Sequence, residues 1–189
     1  MKILLGVARL ARGRGDGIAL FDATPEAFLR SLIPLLGFSV LGSLLFLTIG
    51  TQREALELLL LSLIAQLAPP VLSHAIASRW GREEDWLRYA TAMNWCQVVL
   101  PFALLAVLFG LNIGAALGVD VKPVLGLVWL GALAYVLWLS WIVARYGLDL
   151  SRTRAALLVG IVVLGTSLLA ELPSVLAGVT QGTEQAAPG

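Results

Sequence analysis

Five long apolar runs, separated by short polar punctuation, set the pattern of this chain. They cover residues 31–49, 58–77, 89–111, 124–144 and 155–177, each close to the roughly 20 apolar residues that cross a bilayer as a helix. The predicted architecture is therefore an all-α polytopic membrane protein, a bundle of five transmembrane helices (residues 23–178). The first run has a clear start in Thr24-Pro25-Glu26, with a capping hydroxyl, proline at the first helical position and an acid in the first turn. Ser39 and Ser43 on this run form a small-xxx-small pair suited to close helix contact. Pro69-Pro70 in the second run and Pro101 in the third predict bends, and proline at 69 and 70 frees the carbonyls of Ala65 and Gln66. Gly110, Gly114 and Gly118 recur every four residues at the end of the third run, a stripe that lets another backbone approach. In the fourth run Trp141, with Tyr146 just outside, fits an interfacial belt, whereas Tyr135 and Trp138 lie deeper, where packing on neighbouring helices is expected.

The segment before the first run (residues 1–22) is basic and short. Its apolar core is broken by Arg9, with Arg12 and Arg14 close behind, and no small-residue cleavage site follows, which argues against a signal peptide. On a helical wheel Lys2, Gly6, Arg9 and Gly13 oppose Leu4, Val7, Leu10 and Ala11. A short amphipathic helix on the membrane surface and a frayed basic tail are both compatible with this pattern. At the other end, residues 179–189 are polar and read as a flexible tail.

Composition fits a chain whose solvent is mostly lipid: 59% hydrophobic and only 13% charged residues, against about 25% charged in ordinary soluble domains. A net charge of +1 gives no reason to expect a nucleic-acid partner. The sign of the charge is distributed more tellingly than its sum. Placing the N-terminus in the cytoplasm gathers Lys2, Arg9, Arg12, Arg14, Arg30, Arg79, Arg82, Arg88, Arg145, Arg152 and Arg154 on that side and leaves only Arg53 and Lys122 opposite. This positive-inside bias predicts a bundle with its C-terminus on the opposite, periplasmic side, and the excess of arginine over lysine, eleven to two, points to a bacterial chain and hence an inner membrane. A lone cysteine, Cys96, excludes an internal disulfide and a multi-cysteine metal site. The connections are about a dozen residues at most, too short to fold by themselves, so any chemistry must sit in the bundle or at its faces.

The most polar neighbourhood is the pair of runs flanking the connector 79–88. His74 precedes it, and Asn94 and Gln97 follow it at similar depth. Together with Gln66 these are the candidates for a polar pocket between the second and third runs, serving either as interhelical hydrogen bonding or as a proton-responsive site at His74. Glu171 is the one acid well inside an apolar run, near its far end, where either a role with Glu57 or pairing with Arg53 or Lys122 is expected. The consecutive Glu83, Glu84 and Asp85 point in different directions on a helix and do not make a metal cluster. No cofactor is expected, and no phosphate-binding, zinc-protease, nucleophile-elbow or dinucleotide motif is present.

One family pattern matches the layout. Pro25-Glu26-Ala27-Phe28-Leu29-Arg30-Ser31 before the first run, the connector Trp80-Gly81-Arg82-Glu83-Glu84-Asp85-Trp86-Leu87-Arg88-Tyr89-Ala90 and the proline within the third run resemble the prokaryotic branch of the YIP family, five-span membrane proteins whose eukaryotic members interact with Rab GTPases. The cytoplasmic D-L-Y-G-P-type motif of those eukaryotic members is absent, so Rab binding is not carried over. The resemblance implies topology more than activity. The expected function is a non-enzymatic membrane scaffold, assembly factor or accessory subunit, whose partners are membrane lipids and other membrane proteins or a second copy. The alternative is a small transporter or permease component using the His74 neighbourhood.

Overall fold

The computed structural model describes residues 1–185, with side chains as far as Glu171. Six α-helices follow one another: α1 (Lys2–Leu10), α2 (Pro25–Phe46), α3 (Gln52–Arg79), α4 (Glu83–Ala116), α5 (Lys122–Gly147) and α6 (Arg152–Gln185). A single 3-10 turn (Gly15–Leu20) lies between α1 and α2, and the described residues contain no strand. Helices α2 to α6 are long and apolar enough to cross a membrane, so the chain is an all-α polytopic bundle. Round the bundle the order is α2, α3, α6, α5, α4 and back to α2, with α3 also touching α4 across the middle.

Local chemistry sets the helix limits. Thr24 caps α2 by accepting from the Ala27 amide at 3.2 Å, with Pro25 at the first helical position. Thr51 and Glu54 form a reciprocal capping box at the start of α3, the Thr51 hydroxyl accepting from the Glu54 amide at 3.2 Å and the Glu54 carboxylate accepting from the Thr51 amide at 2.8 Å. The first span ends at Phe46 rather than at residue 49, because residues 47–50 close a tight turn onto Ser43, Leu45 and Phe46. The connector between α3 and α4 is only Trp80, Gly81 and Arg82. Glu83, Glu84 and Asp85 belong to the first turn of α4, where acids favour the positive end of the helix dipole. Gly81 and Gly118 sit at φ +66 and +86 just past the ends of α3 and α4. The amides that follow reach back to the Ala77 and Gly114 carbonyls, at 2.8 and 3.0 Å. Pro34, Pro69, Pro70 and Pro101 all lie inside helices that continue on both sides.

Packing is strongly asymmetric along the membrane normal. The core comprises Val7, Leu10 and Phe21 with Ala77, Tyr89, Cys96, the 139–144 stretch of α5, Leu148 and Leu158, all at the arginine-rich end. At that end α1 folds onto the bundle. Gly6, Val7 and Leu10 are buried while Leu4 and Leu5 stay exposed, so the inward face of α1 is shifted from the one the helical wheel predicts. Gly6 and Gly17 make this docking possible. A Cβ on Gly17 would lie 2.7 Å from the Gly6 carbonyl oxygen, and one on Gly6 would meet the Phe21 ring. The expected helix partners of Tyr135 and Trp138 are replaced by this N-terminal segment: the Tyr135 hydroxyl donates to the Ala11 carbonyl at 2.8 Å, and Gly13 lies against the Trp138 ring. Towards the opposite end the helices present large apolar side chains outward, among them Leu45, Phe102, Phe109, Leu127 and Leu164. Helix α6 continues to Gln185, into the tail expected at 179–189, and residues 186–189 lie outside the described residues.

Candidate functional site

Polar side chains in the bundle fall into two groups: pairs that tie helices together, and groups left facing open space. The first group is organised by one edge of α2, where Ser31, Leu35, Ser39 and Ser43 recur every four residues and are all buried. Small side chains on this edge let α3 and α4 approach, and two of the serines receive amides. Asn94 of α4, 2% exposed, donates to the Ser31 hydroxyl at 2.9 Å, and Ser31 in turn donates to the Phe28 carbonyl at 2.6 Å. Gln66 of α3 donates to Ser39 at 2.6 Å. The Ser43 hydroxyl and the Gln66 side-chain oxygen are buried without a partner.

His74 does not meet Asn94 or Gln97. Its ring stands edge-on to Trp86 with centroids 4.6 Å apart, its Nε2 is 3.6 Å from a Glu83 carboxylate oxygen, and its side chain is 44% exposed. The reason is azimuthal. Ser73, the preceding residue, takes the inward direction, and about 100° of helical rotation turns His74 toward the connector. Trp86, not singled out as a site in the sequence, is the junction here. Its indole N–H donates to Ser73 at 3.1 Å and its ring lies 5.2 Å from that of Phe28, so one side chain joins α2, α3 and α4.

The second group lines a cavity of 240 Å³ enclosed by α3, α4, α5 and α6. Pro69, Met93, Gln97, Ser140, Val162 and Thr166 are among its walls. Ser140 donates to the Val136 carbonyl, whereas the Thr166 hydroxyl is buried without a partner and the Gln97 amide makes no hydrogen bond among the described residues. Gln97 also borders a larger groove of 570 Å³ between α4 and α5 and a small void beside Ser73 and Asn94. It is thus a wall common to all three of these spaces. About 14 Å of helix separates Gln97 from Arg88, which puts it towards the bilayer centre. The cavity carries no ionisable carboxylate, imidazole or amine, only hydroxyl and amide groups.

The remaining predicted residues stand apart from this cavity. Glu171 is on an exposed face of α6, and Arg53, a candidate partner for it, pairs with Glu57 at 2.9 Å. A methyl group placed on Gly110 or Gly118 would have nothing within 4 Å, and one on Gly114 would meet only a Val121 methyl at 3.9 Å. Among the described residues no three of His, Cys, Asp and Glu converge to hold a metal ion.

These features define a class: an integral membrane helical bundle, sealed at its arginine-rich end and more open at the other. Against protein-family models, curated proteins and solved structures, the chain finds no match.

The Asn94–Ser31 pair carries a direct expectation. Asn94→Ala should destabilise the bundle by about 0.6 kcal/mol and at most about 1.7 kcal/mol, the range for interhelical hydrogen bonds in membranes. Unfolding of the detergent-solubilised protein, followed by helical circular dichroism, measures it. No loss at all would show that Ser31 and Asn94 exchange partners freely.

Proposed function

We propose that this protein is a non-enzymatic integral membrane scaffold, assembly factor or accessory subunit that acts through contacts of its outer helical surface with other membrane proteins, with a second copy, or with lipid. One observation carries the proposal: five glycines on the outer surface of α2, α4 and α5 have no neighbour among the described residues. Methyl groups placed on Gly37, Gly42, Gly110, Gly126 or Gly131 would meet nothing within 4 Å. Glycine inside a transmembrane helix is favoured where another backbone comes close, and at these five positions no described residue does. The arginine distribution supports a cytoplasmic N-terminus, the excess of arginine over lysine a bacterial inner membrane, and the five-span layout supports kinship with the prokaryotic YIP branch.

Purification of the tagged native protein in a gentle detergent, with mass spectrometry and sizing, tests this reading. A stoichiometric membrane partner or a defined homo-oligomer is expected, lost in Gly110→Leu while monomer stability is unchanged. A monomer carrying only lipid would refute the scaffold, assembly and subunit roles, each of which needs a protein partner or a second copy. That outcome would favour a second reading, a small permease component passing an uncharged polar solute, for which the unpartnered Thr166 hydroxyl and Gln97 amide in the central cavity are the specific support.

A further inference from the structure

A recess of 130 Å³ opens at the arginine-rich end, walled by α1, the 3-10 turn, the start of α2 and the cytoplasmic part of α4. It follows from the way the N-terminal segment docks. Phe21, 3% exposed, is held against Gly6, and Ala27 is too small to fill the space that remains in front of α4. Two opposite charges, Asp22 and Arg30, line this one recess, together with Thr91 and Trp95. Both charged residues are exposed and so can be reached from outside the bundle.

Neither charge is used within the protein. Elsewhere on this face opposite charges that meet are paired, Arg9 and Arg14 with Asp16, and Arg82 with Asp85 and Asp149. Asp22 and Arg30 share a recess yet form no ion pair or side-chain hydrogen bond, with each other or with any described residue. The Trp95 indole N–H has no acceptor among the described residues either, whereas the Thr91 hydroxyl donates to the Leu87 carbonyl at 2.7 Å. Depth puts the two charges in order. The apolar run of α2 begins at residue 31, so Arg30 is the last charge before the hydrocarbon. Asp22 precedes the helix, which starts at Pro25, and the five residues from there to Arg30 add about 7.5 Å. The polar region on each side of a bilayer is about 5–7 Å thick, which sets Asp22 at its outer edge and Arg30 at its inner edge. The Asn94–Ser31 hydrogen bond holds Trp95 level with Arg30. A carboxylate above a guanidinium matches a phospholipid that carries a protonated amine above its phosphate.

We propose that this recess binds the headgroup of one phosphatidylethanolamine from the leaflet on the arginine-rich side, with its ammonium at Asp22, its phosphate at Arg30 and its acyl chains outside on the bundle surface. The site goes beyond the scaffold reading and stands or falls independently of it. Both contacts are charge-assisted hydrogen bonds, the stronger kind. A primary ammonium donates to a carboxylate, which the trimethylated amine of phosphatidylcholine cannot do, and phosphatidylglycerol brings no cation for Asp22. The recess has room for a headgroup and not for an acyl chain.

Native mass spectrometry of the full-length protein with phosphatidylethanolamine, phosphatidylcholine and phosphatidylglycerol tests this. Expected is one retained phosphatidylethanolamine in preference to both other lipids. Arg30→Gln should cut its retention about fivefold, the effect of one basic side chain near lipid phosphate. Asp22→Asn should bring phosphatidylethanolamine down to the level of phosphatidylglycerol. Glu84→Gln, which neutralises an exposed acid of α4 outside the recess, should leave the preference unchanged. Circular dichroism confirms that each variant is folded, and the comparison of the three lipids on the native protein needs no variant. Equal retention of the three lipids by the native protein would overturn the site, as would a preference that survives both Asp22→Asn and Arg30→Gln. Displacement by soluble phosphoethanolamine as effective as by the intact lipid would overturn it too, since a free zwitterion would then be the ligand.

Discussion

Trp86→Ala is expected to lower the stability of the bundle by about 3 kcal/mol, the lower end of the range for truncating a large aromatic side chain in a packed site. The lower end applies because the indole is only partly buried. Three separate contacts are lost together. The indole N–H leaves Ser73, the ring leaves Phe28, and the edge-on packing against His74 disappears. These contacts fix the entry of α4 against α2 and α3, and the connector between α3 and α4 is too short to do so alone. Trp86→Phe separates the contributions. It keeps much of the ring packing and removes the donor, so it should cost about 1 kcal/mol. Ser73→Ala in the Trp86→Phe background should cost less than Ser73→Ala alone, because the indole is already gone and only the bond that Ser73 donates to the Pro70 carbonyl and its contact with Tyr89 remain to be lost. Denaturant titration in mild micelles, followed by circular dichroism, gives these differences. A change of under about 0.5 kcal/mol for Trp86→Ala would mean that the α3–α4 connector alone positions α4.

What the sequence made legible follows from what the bilayer enforces. Lipid cannot hydrogen-bond a backbone, so every spanning segment must be helical and of a set length, and the apolar runs therefore announce the helices. Depth was legible for the same reason, since about 1.5 Å per residue places Asn94 and His74 at similar levels. Azimuth was not. Whether Asn94 turns to His74 or to Ser31 depends on where α2 lies, and Ser31 is 63 positions away in the chain. The polar stretch 83–85 looked like a loop because acids are rare in buried helices, yet at a helix start they are favoured by the dipole. The N-terminal segment was readable as amphipathic but not as a docked element. Its docking rests on Gly6 and Gly17 meeting each other and on a tyrosine 124 positions away from Ala11.

Glycines show the same divide, and they yield the second large expected effect. Gly147→Val should destabilise the bundle by about 1–3 kcal/mol, the usual penalty for overpacking. Gly114→Val should stay within about 0.5 kcal/mol of the native protein, as for a substitution away from any packed feature. A Cβ on Gly147 would lie 3.0 Å from the Tyr89 Cβ and 3.1 Å from its Cα. These atoms are fixed close to the backbone of α4 and cannot swing aside as a side-chain tip would. The added bulk must push the end of α5 away from α4, and that contact belongs to the buried core, where Tyr89 is 4% exposed and Ala144 and Leu148 are fully buried. Gly114 belongs to the fourfold stripe that periodicity picks out, but only a Val121 methyl comes near it, at 3.9 Å. Gly118, the last of that stripe, is accounted for by its positive φ beyond the end of α4 rather than by a helix contact. Spacing marks glycines that could face another helix, and the folded chain decides which of them do. Equal losses for Gly147→Val and Gly114→Val in the same unfolding assay would mean that the stripe is covered within the monomer, and the surface assigned to partners would have to be sought elsewhere on the bundle.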